Sequence, residues 1–266
     1  MKYENRVVAF IDILGFDAIV WNTLDTNGKD IPDKIQALNE VLLLVRNVLD
    51  IDKPENQVCK SKKVTQFSDS IVISFLASEE SEVFYTLLDI LRLIINFVFR
   101  GIICRGGVAY GKLIHNDKVI FGPAMIQAYQ TESRAALYPR VILDESIITI
   151  GMKYHGFHHA PEHERDSIME IVTKDTDEMY YIDYFESAQE ELDDPFYDMP
   201  KYIDRLRGII KPNVSSEKPD IKAKYGWMRN KYNKMITPFR NESFIKKLRD
   251  DGEDEVADYC CDLEEI

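Results

Sequence analysis

Apolar residues run almost without a break through RVVAFIDIL, residues 6 to 14, and the run is rich in Val and Ile. Such a run predicts a strand buried on both faces. Gly15 follows and permits a tight turn. Between residues 31 and 51 the apolar positions 35, 38, 42, 45 and 49 share one helical face, and Pro32 suits a helix start. Residues 52 to 63 are polar and carry Pro54, which predicts a loop. VTQFSDSIVISFL, 64 to 76, divides into two strand-like halves around Ser68-Asp69-Ser70, the pattern of a tight hairpin. A second helix is expected over about 80 to 99. IICRGGVAYGKLIHN, 102 to 116, reads as a strand with glycines where a backbone bends or is closely approached. The segment 117 to 138 runs from a short strand through Gly122-Pro123 into a helix, and RVILD, 140 to 144, is another strand.

The predicted order β, α, β, β, α, β, α, β mixes a hairpin with crossover helices. It defines an α+β fold: a ferredoxin-like, mostly antiparallel sheet with helices on one face. The pattern changes after about residue 152. HGFHHAPEHERDS, 155 to 167, reads as a polar loop. MEIVTKD and EMYYIDYF predict a hairpin around Thr176-Asp177, and 199 to 210 and 217 to 236 predict helices. The tail DDGEDEVADYCCDLEEI reads as acidic and solvated or loosely docked. The expected organisation is a core over 1–152 and a C-terminal α/β extension over 153–266 packing on it, with the acidic tail from about 250.

Composition narrows the function. The chain has 266 residues, 45% of them hydrophobic, enough for a sizeable core. A formal net charge of -13 argues against broad binding to nucleic acid or anionic lipid, but leaves room for a small basic pocket. The longest apolar segment, 83 to 99, is interrupted by Asp89, Arg92 and Asn96, so it predicts a core helix rather than a membrane span. Cys59, Cys104, Cys260 and Cys261 form no disulfide framework, and MKYENRVVAF carries no secretory pattern. A cytoplasmic, reducing setting is the expectation.

Two aspartates stand out against this background, Asp12 inside the first strand and Asp69 at the hairpin tip. In a ferredoxin-like sheet those strands pair, which brings the two carboxylates side by side. They would repel unless a cation joined them. Hard divalent ions such as Mg²⁺ or Mn²⁺ take oxygen ligands, typically one or two carboxylates completed by substrate phosphates. Backbone amides of Leu14, Gly15 and Phe16, where the strand turns toward helix, are suited to a phosphate. A metal pair beside a phosphate cradle is a site for chemistry on a nucleoside triphosphate. The plainer reading makes Asp12 a helix cap and Asp69 a turn residue.

FIDILGF resembles the first metal-binding motif of the class III nucleotidyl cyclases, the adenylate and guanylate cyclase family, and FSDSIVIS resembles the second. RGGVAYGKL resembles the following strand, and FGPAMIQAY the glycine-initiated helix that carries transition-state residues. The resemblance spans roughly residues 5 to 150. It implies that Asp12 and Asp69 bind two metal ions, Mg²⁺ or Mn²⁺, with the Ile13 carbonyl as a further ligand. The 3′-hydroxyl of the ribose would then attack the α-phosphate and release pyrophosphate. It also implies a homodimer with active sites at the interface.

Several positions depart from the family. The base-reading positions are Thr65 and Val119, which match neither the adenine nor the guanine pattern. The transition-state asparagine and arginine align with Ile126 and Gln130. Arg134, one turn beyond Gln130, and Arg140, at the start of the next strand, are the cations available to replace the missing arginine. FIDILGF, FSDSIVIS, FGPAMIQAYQTE and YPRVILD together are more similar to the bacterial Pycsar anti-phage cyclases, which make cyclic CMP or cyclic UMP for a downstream effector. That resemblance implies CTP or UTP as substrate, Thr65 or Gln66 at the base, and an effector reached through the product rather than by direct binding. Two rivals remain open: a catalytically inactive nucleotide-binding regulator with the cyclase fold, and a polymerase-like phosphoryl-transfer enzyme.

Other features have structural readings. His155, His158, His159 and His163 lack the flanking cysteines or the HExxH spacing of a zinc site and read as loop residues. Tyr225, Trp227 and Tyr232 read as an amphipathic helix packing its aromatics rather than a stacking platform.

Overall fold

The computed structural model of the chain describes residues 2–52 and 59–266. Much of the predicted loop around Pro54 therefore lies outside the described residues. The fold is α+β, with an eight-stranded sheet in which every pairing but one is antiparallel. The chain divides into two compact units. The first comprises Met1–Ile94 and Ile103–Ile182, the second Ile95–Ile102 and Asp183–Ile266.

In the first unit, β1 (Glu4–Ile13) lies between β3 (Ser70–Leu76) and β4 (Cys104–His115), antiparallel to both. β2 (Lys63–Phe67) pairs on the outer side of β3, and β5 (Ile120–Phe121) pairs with β4. The run of Val and Ile is explained by position: β1 is central, and Val7 to Ile11 are all buried. Side chains alternate across the pleat. Val8, Phe10 and Asp12 share one face, and Val7, Ala9, Ile11 and Ile13 the other. α4 (Pro123–Gln130) lies on the first of these faces, where Ala124 and Ala128 pack with Val8, Phe10, Val72, Ala109 and Leu113. α1 (Phe16–Trp21) and α2 (Pro32–Val48) also belong here, as does α3 (Glu82–Phe99) up to Ile94.

The sheet continues past the expected domain boundary. β6 (Val141–Leu143) runs parallel to β4, and β7 (Val172–Lys174) and β8 (Tyr180–Ile182) form a hairpin that extends the β6 edge. The compact unit thus ends at 182, not 152, because the fully buried Val141, Ile142 and Leu143 need a partner on their open edge. α5 (Glu145–Lys153) was not predicted; the Asp144 carboxylate caps it by accepting from the Ser146 amide at 2.9 Å. Part of the expected loop over 155–167 is α6 (Pro161–Ile171). Pro161 opens that helix, Glu162 and Glu164 favour its N-terminus, and Ile168 and Ile171 give it a buried face.

The second unit holds α7 (Pro195–Ile210), α8 (Pro219–Ile236), α9 (Glu242–Asp250) and α10 (Asp254–Cys261). Trp227 and Tyr232 of α8 are buried, as a packing helix requires. The acidic tail is not loosely solvated. α10 buries Val256, Ala257 and Cys260, and Arg249 holds Asp258 at 2.7 Å. Tyr259 Oη donates to Asp204 at 2.9 Å, within the same unit. The three buried positions of α10 and the buried Leu263 outweigh the charge of the tail, because acids spaced around a helix can all face water. Among the described residues, no helix is long and apolar enough to cross a membrane.

Candidate active site

The two aspartates do meet. Asp12 pairs with Ser70 across the β1–β3 ladder, and the Ile13 amide donates to the Asp69 carbonyl at 3.1 Å. Phe67 and Ser70 close the β2–β3 hairpin around a two-residue turn, Ser68-Asp69. Ser68 takes a positive φ of 55°, which costs a non-glycine residue on the order of 1 kcal/mol. That turn holds Asp69 against the end of β1. Asp12 is half-buried, and its carboxyl pKa is raised, first by burial and then by the negative charge of Asp69, with Arg105 opposing.

Arg105 is a residue the sequence reading did not single out. It pairs with Asp12 across the β1–β4 ladder, on the face of the sheet that carries Asp12. Its Nε lies 2.5 Å from Glu132 Oε1, an ion pair without an aligned N–H···O bond. Glu132 is buried, and its pKa is raised by that burial, against the pull of Arg105 and with a further push from Asp12. One signal was present: Arg105 is a charge beside the apolar half of its strand, much as Asp12 is in β1. Glu132 had no such signal. It lies in a π-helical turn, Thr131–Ala135, that continues α4 and breaks its periodicity. Gly107 makes room for this turn. A Cβ there would lie 2.7 Å from the Ala128 carbonyl oxygen and from the Thr131 side chain.

The phosphate cradle is smaller than expected. The Leu14 amide donates to the Ile103 carbonyl at 2.9 Å and is committed to the fold. Gly15, at φ 71°, turns the chain out of β1, and Phe16 opens α1. Their amides have no acceptor among the described residues.

Of the catalytic candidates, Gln130 and Arg134 are exposed. Arg134 makes no ion pair among the described residues. Arg140 is a different case. It is fully buried, its Nη1 donates to Asp175 at 2.5 Å and its Nη2 to Asp177, and its guanidinium lies 5.1 Å from the Tyr138 ring centroid. Arg140 is therefore a structural cation that ties β6 to the β7–β8 hairpin, not a charge open to substrate. Thr65 and Gln66 point to opposite faces of β2. Thr65 Oγ1 is 2.8 Å from His115 Nε2, while the Gln66 amide nitrogen donates to the Leu42 carbonyl of α2 at 3.2 Å. Val119 and Ile126 are exposed.

Among the described residues, no group of three or more His, Cys, Asp or Glu side chains converges as a metal site. His159 and His163 are neighbours, with Nδ1 atoms 2.8 Å apart, but no third ligand joins them.

No protein-family profile matches the chain, and no curated protein matches it in sequence. Solved structures similar to it include a bacterial light-regulated adenylyl cyclase, with 16% identity over 55% of this chain and 79% of that one, at a TM-score of 0.38. The adenylyl cyclase CyaB from P. aeruginosa has 12% identity over 68% of this chain and 95% of that one, at 0.47. The catalytic core of a rhodopsin-guanylyl cyclase with converted specificity, in complex with ATPalphaS, has 17% identity over 56% of this chain and 82% of that one, at 0.43. At such scores these likenesses assign no activity to this chain.

Proposed function

We propose that the first unit is a metal-dependent nucleotide cyclase that converts a pyrimidine nucleoside triphosphate, CTP or UTP, into a 3′,5′-cyclic monophosphate and pyrophosphate. The observation that carries this reading is the convergence of Asp12 and Asp69 at the end of the sheet where β1 turns into α1. Their chemistry fits Mg²⁺ or Mn²⁺: hard oxygen donors, two in number, in mutual repulsion and partly withdrawn from water. The Ile13 carbonyl and the substrate phosphates would complete the set. Two bound ions would lower the pKa of the attacking 3′-hydroxyl and offset charge on the departing pyrophosphate.

The remaining work belongs to this chain's own groups. Asp12 and Asp69 hold the cations. The Gly15 and Phe16 amides donate to phosphate oxygens. Arg105 sets the electrostatic balance between Asp12 and Glu132. Arg134, exposed and without an ion partner among the described residues, reaches the site of a second copy in a homodimer and offsets charge on the transferring phosphoryl. Gln130 lines the same helix end. Thr65 meets the base, and Arg140 has no place in the chemistry. The resemblance of the motifs to the Pycsar enzymes supports the pyrimidine choice, a cytoplasmic setting, and a role in anti-phage signalling through a cyclic-nucleotide effector.

The test is incubation of the purified chain with each of the four ribonucleoside triphosphates and Mn²⁺, followed by separation of products. A cyclic monophosphate from CTP or UTP is expected. A purine product would keep the cyclase and remove the pyrimidine assignment. Tight binding without turnover would make the chain a regulator, and linear oligonucleotides a polymerase-like enzyme.

A further inference from the structure

A chain of polar side chains runs along the face of the sheet that carries Asp12, and of its members only Thr65 has a role above. Arg6 Nε donates to Ser74 Oγ at 3.0 Å. Ser74 Oγ is 2.8 Å from His115 Nδ1, and His115 Nε2 is 2.8 Å from Thr65 Oγ1. Arg6, Ser74 and His115 are buried, and Thr65 is only partly exposed. The first three residues are therefore sealed in the fold, and the last opens outward.

The direction of every hydrogen bond in this chain follows from counting hydrogens. Arginine only donates, so Ser74 Oγ accepts from Arg6. Ser74 is fully buried, and the hydrogen of its hydroxyl has one acceptor within reach among the described residues, His115 Nδ1. Were Nδ1 to carry the proton instead, that hydroxyl hydrogen would be orphaned in the core, at a cost of about 1–3 kcal/mol. The imidazole is also neutral at pH 7. Burial, then the charges of Arg6 and Lys63, push its pKa down to about 4, with Asp117 opposing weakly. A neutral ring that accepts at Nδ1 carries its hydrogen on Nε2. Nε2 must then donate to Thr65 Oγ1. Thr65 has no other partner among the described residues, so its own hydroxyl hydrogen has no protein acceptor and points away from the relay.

The register places that hydrogen relative to the aspartates. Thr65 pairs with Val72, which pairs with Phe10; Phe67, Ser70 and Asp12 form the next row on the same face. Two strand spacings and two residue rises separate Thr65 from Asp12, about 12 Å in all. Thr65 therefore opens onto the same face of the sheet as Asp12.

We propose that the Arg6–Ser74–His115–Thr65 relay fixes the Thr65 hydroxyl as a hydrogen-bond donor to an acceptor atom on the edge of a bound pyrimidine, a ring nitrogen or carbonyl oxygen, with His115 as the positioning residue. The inference rests on the nucleotide reading of the site and deepens it by assigning polarity to its base contact. A threonine hydroxyl in solution can turn its hydrogen in any direction; here one lone pair of the oxygen is held by His115, and the hydrogen is left to donate outward. A base edge that presents an acceptor at that point meets the outward hydrogen directly, whereas one that presents only a donor has to turn that hydrogen aside, and the difference favours the first.

Two measurements test this separately. The first needs no ligand: the ¹⁵N chemical shifts of the histidine rings at pH 7, with the His115 signals assigned by their loss in His115→Gln and by their displacement in Thr65→Val. An Nε2–H tautomer is expected. A proton on Nδ1, or on both nitrogens, would overturn the relay. The second is binding of CTP and UTP in Ca²⁺, which limits turnover, to wild type, Thr65→Val and Thr65→Ser, with inorganic tripolyphosphate as the base-free control. Thr65→Val is expected to weaken the preferred nucleotide by about fivefold, Thr65→Ser to restore it, and tripolyphosphate to bind all three alike. Unchanged nucleotide affinity in Thr65→Val would sink this inference and leave the cyclase standing. A wild type that binds no nucleotide would sink both, even with the expected tautomer in place.

Discussion

Asp12 and Arg105 stand directly opposite each other across the β1–β4 ladder, and Arg105 lies 2.5 Å from Glu132 on its other side. One guanidinium thus serves two carboxylates, with Asp69 adding a third negative charge nearby. This explains how acidic groups accumulate at the end of an apolar sheet without a cation in every interval. It also gives Arg105 two states to choose between, since a divalent cation on Asp12 would release it toward other anions.

Removing Arg105 should therefore affect both function and stability. Arg105→Met is expected to lower cyclase turnover at least tenfold. In urea unfolding, the Arg105→Met, Glu132→Gln double variant should be more stable than the sum of the two single changes would make it. A double-mutant cycle is expected to show a coupling energy of about 1 kcal/mol. A coupling near zero would mean that the short Arg105–Glu132 contact contributes nothing to the fold.

Asp12→Asn and Asp69→Asn should separate metal binding from folding. Burial and the Asp69 charge both oppose ionisation of Asp12, so Asp12→Asn should melt no lower than wild type. Mn²⁺ should raise the melting temperature of wild type, because a ligand bound only to the folded state stabilises it. Neither variant should respond. Turnover in each should fall by about a hundredfold or more. Activity within a few-fold of wild type, or an undiminished Mn²⁺ shift, would remove these carboxylates from the metal site.

The hairpin and the central strand were legible in the sequence because each follows from a local pattern, and the meeting of Asp12 with Asp69 follows once the expected sheet pairs those strands. A Val- and Ile-rich run marks a buried strand, and a polar pair inside an apolar run marks a tight turn. What sequence could not show depended on distant partners. Arg140 read as an available cation, but Asp175 and Asp177 arrive from a hairpin 35 residues later and enclose it. The Leu14 amide read as free, but Ile103 sits at the start of a non-local strand. Glu132 was hidden by the π turn, which breaks the 3.6-residue spacing on which helical faces are read.

Arg140 offers a contrasting prediction. Arg140→Met leaves Asp175 buried without its cation, and breaking a buried pair in this way costs about 3–5 kcal/mol. The loss should appear as a lower urea midpoint for the first unit. Replacing Arg140 and Asp175 together, for example Arg140→Met with Asp175→Asn, should recover part of it. An Arg140→Met variant as stable as wild type would leave the cation free for another role.

The buried His115 predicts an acid limb in stability. Its pKa in the folded chain is about 4, against about 6.5 in an unfolded one. Between those values the unfolded chain binds the proton and the folded chain does not, so stability must fall as pH drops. The contribution is fully present above about pH 6.5, declines through the interval and is gone below about pH 4. The difference of about 2.5 pKa units sets an upper bound of about 3 kcal/mol. Urea unfolding at pH 7.0 and pH 4.5 should show this loss in wild type, on top of the effect of the carboxylates. A His115→Gln variant has no imidazole to charge and should lose less between the same two pH values. Equal losses in the two proteins would mean that His115 titrates alike in the folded and unfolded chains, and that the Arg6–Ser74–His115–Thr65 relay is open to water.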